Sequence, residues 1–228
     1  SLPPSPLAAF RPPVEAWFRA SFAEPAPAQA LAWPALARGE SVLLLAPTGS
    51  GKTLAAFLAA LDRLMFDPVP APRERCRVIY VSPLKALAVD IERNLRAPLH
   101  GIASEAERLG VPFHMPEIAV RTGDTPPRDR QRFARVPSDI LITTPESLYL
   151  IVTSHAREAV AHARWLILDE IHAIAGTKRG AHLALSVERL VEITGQPLQR
   201  IGLSATARPP EEIARFLGGH TAAPDDSL

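Results

Sequence analysis

The sequence has little cysteine and lacks long apolar runs. A single cysteine, Cys76, among 228 residues excludes an internal disulfide framework and is typical of a protein from a reducing compartment. No apolar stretch reaches the roughly 20 residues that a membrane-spanning helix needs, so we expect no membrane partner. Residues 1–6 lack the charged and apolar regions of a secretory signal. These absences predict a cytoplasmic protein.

An excess of charge of one sign is also absent. The 25 Lys and Arg residues nearly balance the 24 Asp and Glu residues, which gives a net charge of +1. This balance does not exclude nucleic acid as a partner, because a local basic strip on a neutral surface is enough to bind phosphates. A hydrophobic content of 47% over this length allows one large domain with a substantial core.

Short β-rich segments alternate with helix-like stretches along the chain. The segments lie at 42–45, 78–82, 117–121, 140–143, 165–168 and 200–204. Alternation of this kind indicates an α/β fold with a mostly parallel central sheet that is flanked by helices. We interpret residues 1–20 as an N-terminal extension, 21–220 as one α/β domain, and 221–228 as a tail or linker.

The segment Ala46–Thr53, with the sequence APTGSGKT, lies between an apolar strand and a helix-like stretch. Glycines allow such a loop to curl so that successive N–H groups face one anion, and the helix dipole adds to the attraction. Lys52 is predicted to contact the β and γ phosphates of a nucleotide, and Thr53 to bind Mg²⁺. The residues predicted to bind the cofactor are Thr48, Gly49, Ser50, Gly51, Lys52 and Thr53. The strict pattern has Gly where this chain has Ala46, and a glycine-rich turn that binds nothing is the alternative.

Two carboxylates, Asp169 and Glu170, follow the apolar segment 165–168. The carboxyl ends of parallel strands line the ligand crevice of such sheets. We predict that Asp169 binds Mg²⁺ opposite Thr53, and that Glu170 orients and deprotonates the attacking water. Lys52, Asp169 and Glu170 would then be the catalytic residues. A solvated pair of carboxylates at a strand end is the alternative.

Gln29 begins a helix-like stretch upstream of the phosphate-binding loop. A glutamine amide can pair with N6 and N7 of adenine, so we predict a preference for ATP over GTP. The alternative is an amide that caps a helix.

Hydroxyl–proline pairs follow two further strands, at Ser82-Pro83 and Thr144-Pro145. In both pairs we expect the hydroxyl residue to cap a helix and the proline to take the first helical position. Helix N-termini attract phosphate, and a third strand end carries the segment Arg121–Thr125. Together these ends predict a track for a phosphodiester backbone, although ordinary helix starts would look similar. The predicted contacts to nucleic acid are Ser82, Pro83, Lys85, Arg121, Thr122, Gly123, Thr144, Pro145 and Glu146.

Ser204 and Thr206 follow the last strand, and we expect their hydroxyls to bond the region of His172. Such bonds would couple a change at the γ-phosphate to the nucleic acid, whereas a His172 packed in the core would not. Two basic segments leave their role open. The arginines at 128, 130, 132 and 135 either flank nucleic acid or form a solvated face, and the expected flexible loop 176–180 faces nucleic acid or a neighbouring domain.

Taken in chain order, these motifs resemble the first motor domain of superfamily 2 helicases. The resemblance is carried by Gln29, the Ala46–Thr53 loop, Ser82–Lys85, Thr143–Glu146, Asp169–His172 and Ser204–Thr206. The longer stretches 28–34, 81–87 and 169–183 look like the Lhr (large helicase-related) family. This resemblance implies a three-layer RecA-like P-loop NTPase fold with ATP and Mg²⁺ as cofactors. It also implies 3′-to-5′ movement along single-stranded DNA, with unwinding of duplexes or RNA:DNA hybrids in nucleic-acid repair.

Helicases of this type close ATP between two RecA-like domains, and the second domain supplies an arginine finger. We find no second phosphate-facing arginine motif after Thr206. Residues 1–228 alone are therefore expected to bind nucleotide weakly, to hydrolyse it poorly and not to unwind. The resemblance implies the second RecA-like domain as a partner. The alternatives are an RNA helicase or remodeller, which Asp-Glu-Ile-His in place of Asp-Glu-Ala-Asp disfavours, and a nucleotide-dependent switch that clamps nucleic acid.

Overall fold

A computed structural model describes residues 5–205 and 210–218 of the chain. Its six strands are β1 (Val42–Leu45), β2 (Val78–Val81), β3 (Ile118–Arg121), β4 (Ile140–Thr143), β5 (Trp165–Leu168) and β6 (Gln199–Ser204). They form one sheet in the order β1-β6-β5-β2-β4-β3, and each of its neighbouring pairs is parallel. The six strands predicted from the sequence are confirmed, and the mostly parallel sheet is parallel throughout.

The helices are α1 (Pro12–Ser21), α2 (Pro27–Ala37), α3 (Lys52–Phe66), α4 (Lys85–Leu109), α5 (Pro127–Arg135), α6 (Pro145–Val152), α7 (Lys178–Thr194) and α8 (Pro210–Gly218). Short 3₁₀ turns lie at Pro6–Ala9, Pro72–Glu74, His155–Val160 and Ile171–Ala173. Several helices begin with proline, whose fixed φ suits the first turn and whose missing N–H is not needed there. None of the helices in the described ranges has the length and apolarity that a membrane crossing requires.

The hydrophobic core has two layers, one on each face of the sheet. On β2, Val78 and Tyr80 face the layer formed with α1 to α4, whereas Ile79 and Val81 face the layer formed with α6 and α7. All four side chains are almost fully buried. Burial on both faces explains why the strand is apolar at every position, as is usual for a parallel sheet between helices. The three-layer arrangement is confirmed.

The N-terminal segment packs on the domain. Leu7, Phe10, Val14 and Phe18 are part of the first core layer, and Arg11 donates hydrogen bonds to Asp62 of α3. The predicted boundary after residue 20 falls one residue before the end of α1. The division into an extension, a domain and a tail stays a prediction, and residues 221–228 lie outside the described ranges.

Two local predictions about helix starts are wrong. Ser82 does not cap α4, which begins at Lys85 with Leu84 as its N-cap. The Ser82 N–H still bonds Thr143 O at 3.1 Å, so the sheet pairing continues past the end of β2 and the helix starts later. The segment 176–180 is not a flexible loop throughout, because α7 begins at Lys178. Thr177 caps it, and its hydroxyl accepts a hydrogen bond from Gly180 N at 3.1 Å.

Candidate nucleotide and nucleic-acid sites

The parallel sheet brings the predicted site segments to one edge. Leu45 aligns with Ser204 on neighbouring strands, and Thr143 aligns with both Val81 and Arg121. The segments after β1, β2, β3, β4, β5 and β6 therefore leave the sheet on the same side. This edge is where ligands bind in open α/β folds.

The loop between β1 and α3 has the geometry of a phosphate cradle. Gly49 and Gly51 have φ values of 82° and 79°, in the left-handed region that favours glycine. A Cβ on Gly51 would also lie 2.6 Å from Gln29 Nε2. Helix α3 begins at Lys52, so its first N–H groups, which have no intrahelical partner, and its positive dipole end lie at the loop.

Two side chains of this loop are buried in ways that suit a ligand. Lys52 is 6% exposed and its ammonium donates to Ala46 O. Ser50 Oγ is buried and has no hydrogen-bond partner among the described residues. Because buried hydroxyls in native proteins are nearly always bonded, an orphaned one at this position fits a loop that accommodates a phosphate oxygen.

Gln29 connects the N-terminal helices to the same loop. It is 5% exposed, and its Oε1 accepts a hydrogen bond from Ala26 N at 2.9 Å, which caps α2. Its Nε2 donates to Gly51 O at 3.3 Å. The amide thus has the capping role that we considered as an alternative. It keeps one free N–H and one free lone pair, so the adenine contact stays a prediction.

Asp169 is held in place at the end of β5. It is 7% exposed, its Oδ1 accepts from Glu170 N at 2.8 Å, and its Oδ2 accepts from the Tyr80 hydroxyl. Burial, together with the nearby Asp169 charge, raises the pKa of Tyr80, so the phenol remains a hydrogen-bond donor. This role of Tyr80 is not predicted from the sequence. Its only signal is a hydroxyl within an otherwise apolar strand.

Glu170 adopts a strained backbone conformation. Its φ of 53° and ψ of 37° are left-handed, and in the described part of the chain no other non-glycine residue has a positive φ. Such a conformation costs energy and persists only where neighbouring contacts impose it. Here the carboxylate lies 3.1 Å from His172 Nε2.

His172 connects Glu170 to the end of β6. Its Nδ1 lies 3.1 Å from Ser204 Oγ and accepts a hydrogen bond from Ala205 N at 3.3 Å. Because a backbone N–H can only donate, Nδ1 carries no proton, and Nε2–H donates to the Glu170 carboxylate. Two of the three predicted coupling residues therefore lie together. Thr206 lies outside the described residues.

Two basic side chains, Lys85 of α4 and Arg130 of α5, brace the segment after β3. Lys85 Nζ lies 3.1 Å from both oxygens of Asp124. Arg130 donates to Thr125 O at 2.8 Å and to Gly123 O at 2.7 Å, a structural role that the sequence analysis missed. Burial, with Arg130 nearby, lowers the pKa of Arg121, and its NH1 is buried without a partner among the described residues. Arg128, Arg132 and Arg135 are exposed, so their role stays open.

Arg179 joins two of the predicted contact segments to each other. It donates to Glu146 Oε1 at 2.7 Å and to Pro83 O at 3.2 Å. Although burial acts to raise it, the hydrogen bond from Arg179 lowers the pKa of Glu146. Thr144 caps α6 as predicted, with its hydroxyl accepting from Ser147 N at 3.4 Å. Arg179 lies in the basic segment 176–180, whose role the sequence leaves open. Its partners could not be predicted, because they are distant in sequence.

A family model for DEAD/DEAH box helicases matches residues 26–215 of the chain. The chain is 59% identical over 214 residues to the Lhr helicase/probable uracil glycosylase of Mycolicibacterium smegmatis, which covers 94% of this chain and 14% of that protein. It is 48% identical over 214 residues to the ATP-dependent helicase Lhr-Core of Methanothermobacter thermautotrophicus, covering 92% of this chain and 24% of that protein. The chain thus spans a quarter or less of the length of these two relatives.

A solved structure shows the same similarity. The Mycobacterium smegmatis helicase Lhr bound to ssDNA and AMP-PNP matches this chain with a TM-score of 0.90 and 58% identity, over 95% of this chain and 27% of that one. The predicted resemblance to Lhr helicases and the predicted RecA-like fold are confirmed. With its family match over residues 26–215, the chain belongs to the DEAD/DEAH box helicase family.

Proposed function

We propose that this chain is the ATP-binding motor domain of an Lhr-type, ATP-dependent DNA helicase that moves along single-stranded DNA. One observation carries the proposal. A continuous hydrogen-bonded series runs from Glu170 through His172 to Ser204, whose carbonyl accepts from Ala46 N of the phosphate loop at 3.2 Å. These hydrogen bonds therefore link the predicted catalytic base to the phosphate loop, at the edge of the sheet where nucleic acid is expected to bind.

The residues of the loop fit a nucleoside triphosphate. The ammonium of Lys52 now bonds Ala46 O, and it would exchange that carbonyl for the β and γ phosphate oxygens. The orphaned Ser50 hydroxyl and the first N–H groups of α3 would supply further donors. Adenine would bind on the side of Gln29, whose amide touches the loop at Gly51.

Thr53 and Asp169 would hold Mg²⁺ together with phosphate oxygens and water. In the portion of the chain that the structure describes, no three His, Cys, Asp or Glu side chains converge as a metal cage. This suits Mg²⁺, which is usually bound through one or two protein ligands and the substrate phosphates. When bound, it would neutralise the charge that develops on the phosphates.

Glu170 would accept the proton of the attacking water. Because His172 Nε2–H donates to one carboxylate oxygen, the other oxygen remains available to a water molecule. The same histidine receives hydrogen bonds from Ser204 and Ala205 at the end of β6. A change around Glu170 on hydrolysis would therefore be felt at that strand end.

Two lysines at the same edge should separate nucleotide binding from nucleic-acid binding. Replacing Lys52 by alanine is expected to weaken ATP binding by about 10- to 100-fold, since an ammonium–phosphate contact contributes roughly 1.5–3 kcal/mol. It should leave the affinity for single-stranded DNA unchanged. Lys85→Ala is the matched control. It should weaken the binding of single-stranded DNA and leave the ATP affinity unchanged, because Lys85 is exposed and lies outside the loop. Fluorescence anisotropy with labelled nucleotide and labelled oligonucleotide measures both affinities.

The same assay tests the preferred nucleic acid. DNA and RNA oligonucleotides of one sequence are compared, and tighter binding of DNA is expected. A clear preference for RNA would support an RNA helicase or remodeller instead. An unchanged ATP affinity in Lys52→Ala would overturn the assignment of the nucleotide site.

Removing the Ser204 hydroxyl should uncouple the two sites. Ser204→Ala takes away one hydrogen bond to His172 Nδ1 and leaves the one from Ala205 N. We expect basal hydrolysis to be retained, while its stimulation by single-stranded DNA falls several-fold in the longer protein. Ser186→Ala is the control, because Ser186 is an equally buried serine whose hydroxyl donates to the His182 carbonyl of its own helix. Undiminished stimulation in Ser204→Ala would count against coupling.

Several finer features of the proposal rest on the resemblance to Lhr helicases. These are 3′-to-5′ movement, a role in nucleic-acid repair, partnership with a second RecA-like domain and a cytoplasmic location. They concern the whole protein, of which the chain spans only a part judging by its relatives.

A further inference from the structure

A cavity of about 460 Å³ lies at the edge of the sheet opposite the phosphate loop. It is lined by the first residues of β5 and β6, and by Arg77, which directly precedes β2. A neighbouring cavity of about 390 Å³ shares Asp67, Arg77, Arg164 and Gln196 with it. These cavities are separate from the nucleotide and nucleic-acid sites described above.

Arg77 is a buried cation without an anionic partner. It is 8% exposed, and its guanidinium carbon lies 5.4 Å above the ring of Trp165. Within 5–205 and 210–218, its side chain forms no hydrogen bond and has no carboxylate within 4.0 Å. The contact with Trp165 covers one face of the guanidinium and leaves its N–H edge free for a ligand.

Two further guanidiniums line the same cavity, from Arg63 and Arg164. Both are exposed, and neither has an ion pair within the described ranges. Burial lowers the pKa of Arg77, the charge of Arg164 lowers it further, and Asp67 and Asp139 partly oppose this. Arg77 and Arg164 therefore repel each other. Two carboxylates, Asp62 and Asp67, also line the cavity, and both bond Arg11. An anion in the cavity would relieve this repulsion.

The cavity also has apolar lining. Phe10, Trp33 and Leu36 line it and are largely buried. The site thus combines cationic and apolar residues, at a volume within the usual range for small-molecule sites.

We propose that this cavity binds a small organic phosphate, with its phosphate between Arg63, Arg77 and Arg164 and its apolar body against Phe10, Trp33 and Leu36. Guanidinium forks match the oxygens of a phosphate in geometry, and three forks suit a group with three free oxygens. The site is independent of the nucleotide site, at the other edge of the sheet.

Phenyl phosphate is the probe, because it carries both a phosphate and an apolar ring. The probe is titrated by calorimetry, at up to millimolar concentration, into the 228-residue chain and into Lys52→Ala, whose phosphate loop should bind phosphate weakly. Equal binding by the two is expected, and a clear loss in Lys52→Ala would assign the binding to the phosphate loop and overturn the proposal. Phenyl phosphate should bind, inorganic phosphate should bind more weakly, and benzyl alcohol should bind least. If inorganic phosphate bound as tightly as phenyl phosphate, the proposed apolar contacts would be wrong. If benzyl alcohol bound as tightly as phenyl phosphate, the proposed contacts to the arginines would be wrong.

Arg164→Ala is the main variant, because Arg164 is exposed and its removal spares the core. We expect phenyl phosphate to bind about tenfold more weakly, as for the loss of one charge-assisted pair. Arg73→Ala, an exposed arginine outside the cavity, should bind as the unchanged chain does. Without ligand, Arg164→Ala should melt at a higher temperature, since a like charge has been removed, and it should lose most of the rise that phenyl phosphate causes.

If these arginines had only a structural role, Arg164→Ala would not both raise the melting temperature without ligand and reduce the rise that phenyl phosphate causes. Absence of binding in the unchanged chain would overturn the proposal. So would equal binding by the unchanged chain, Arg63→Ala and Arg164→Ala.

Discussion

Replacing Glu170 by glutamine is expected to leave ATP binding intact and to slow hydrolysis by about 10²- to 10⁴-fold, the usual contribution of a positioned general base. Glutamine has the same shape but cannot accept a proton from water. It can keep the contact with His172, because Nε2–H of the histidine donates and the amide oxygen accepts. The loss would then report the missing base rather than a collapsed site.

The measurement is single-turnover hydrolysis, with the chain in excess over labelled ATP, alongside the equilibrium affinity for ATP. Glu158→Gln is the matched control, because Glu158 is exposed and has no ion pair among the described residues. Its rate should equal that of the unchanged chain. Undiminished turnover in Glu170→Gln would remove Glu170 from the catalytic role.

The second large effect concerns a domain outside this chain. Residues 1–228 alone are expected to hydrolyse ATP about 10³- to 10⁵-fold more slowly than a longer protein that includes a following RecA-like domain, the range associated with an arginine finger. The Arg179 guanidinium, at the nucleic-acid side of the edge, already bonds Glu146 and Pro83. Arg179 is therefore not available as the finger, and we expect an arginine from the following domain to add to the charge of Lys52 at the γ-phosphate.

Steady-state hydrolysis by the two proteins, with and without single-stranded DNA, measures this difference. Strand separation is measured in parallel, and none is expected from the shorter chain. Equal stimulated rates, or robust unwinding by residues 1–228, would contradict the prediction. Hydrolysis by the longer protein that does not respond to nucleic acid would instead favour a nucleotide-dependent switch.

The features that sequence predicted well depend on backbone geometry and on parallel strand order. Gly49 and Gly51 are predictable because a loop that curls around an anion needs glycine, and both have positive φ in the structure. The position of the motif segments at one edge of the sheet was predictable, because alternating strands and helices indicate parallel strands whose carboxyl ends lie together. The pairing of His172 with Ser204 was also anticipated, from two motifs at neighbouring strand ends.

The features that sequence did not predict depend on partners distant in the chain. Tyr80 and Asp169 are 89 residues apart, and Arg179 and Pro83 are 96 residues apart. The Ser82-Pro83 pair was misread because local capping chemistry is overridden there by the sheet bond from Ser82 N to Thr143 O. Residues 1–20 are rich in proline and were interpreted as an extension, but apolar side chains among them pack on the core.

At Glu170, a backbone conformation that lowers stability carries the side chain that hydrolysis is proposed to need. A glycine there would adopt the observed φ of 53° without strain and relieve about 1 kcal/mol or more of backbone energy. The same change would delete the carboxylate on which hydrolysis is proposed to depend. Directed evolution that rewards heat resistance alone would therefore drift toward an inactive protein at this codon, so a screen for hardier variants needs a turnover readout from its first round.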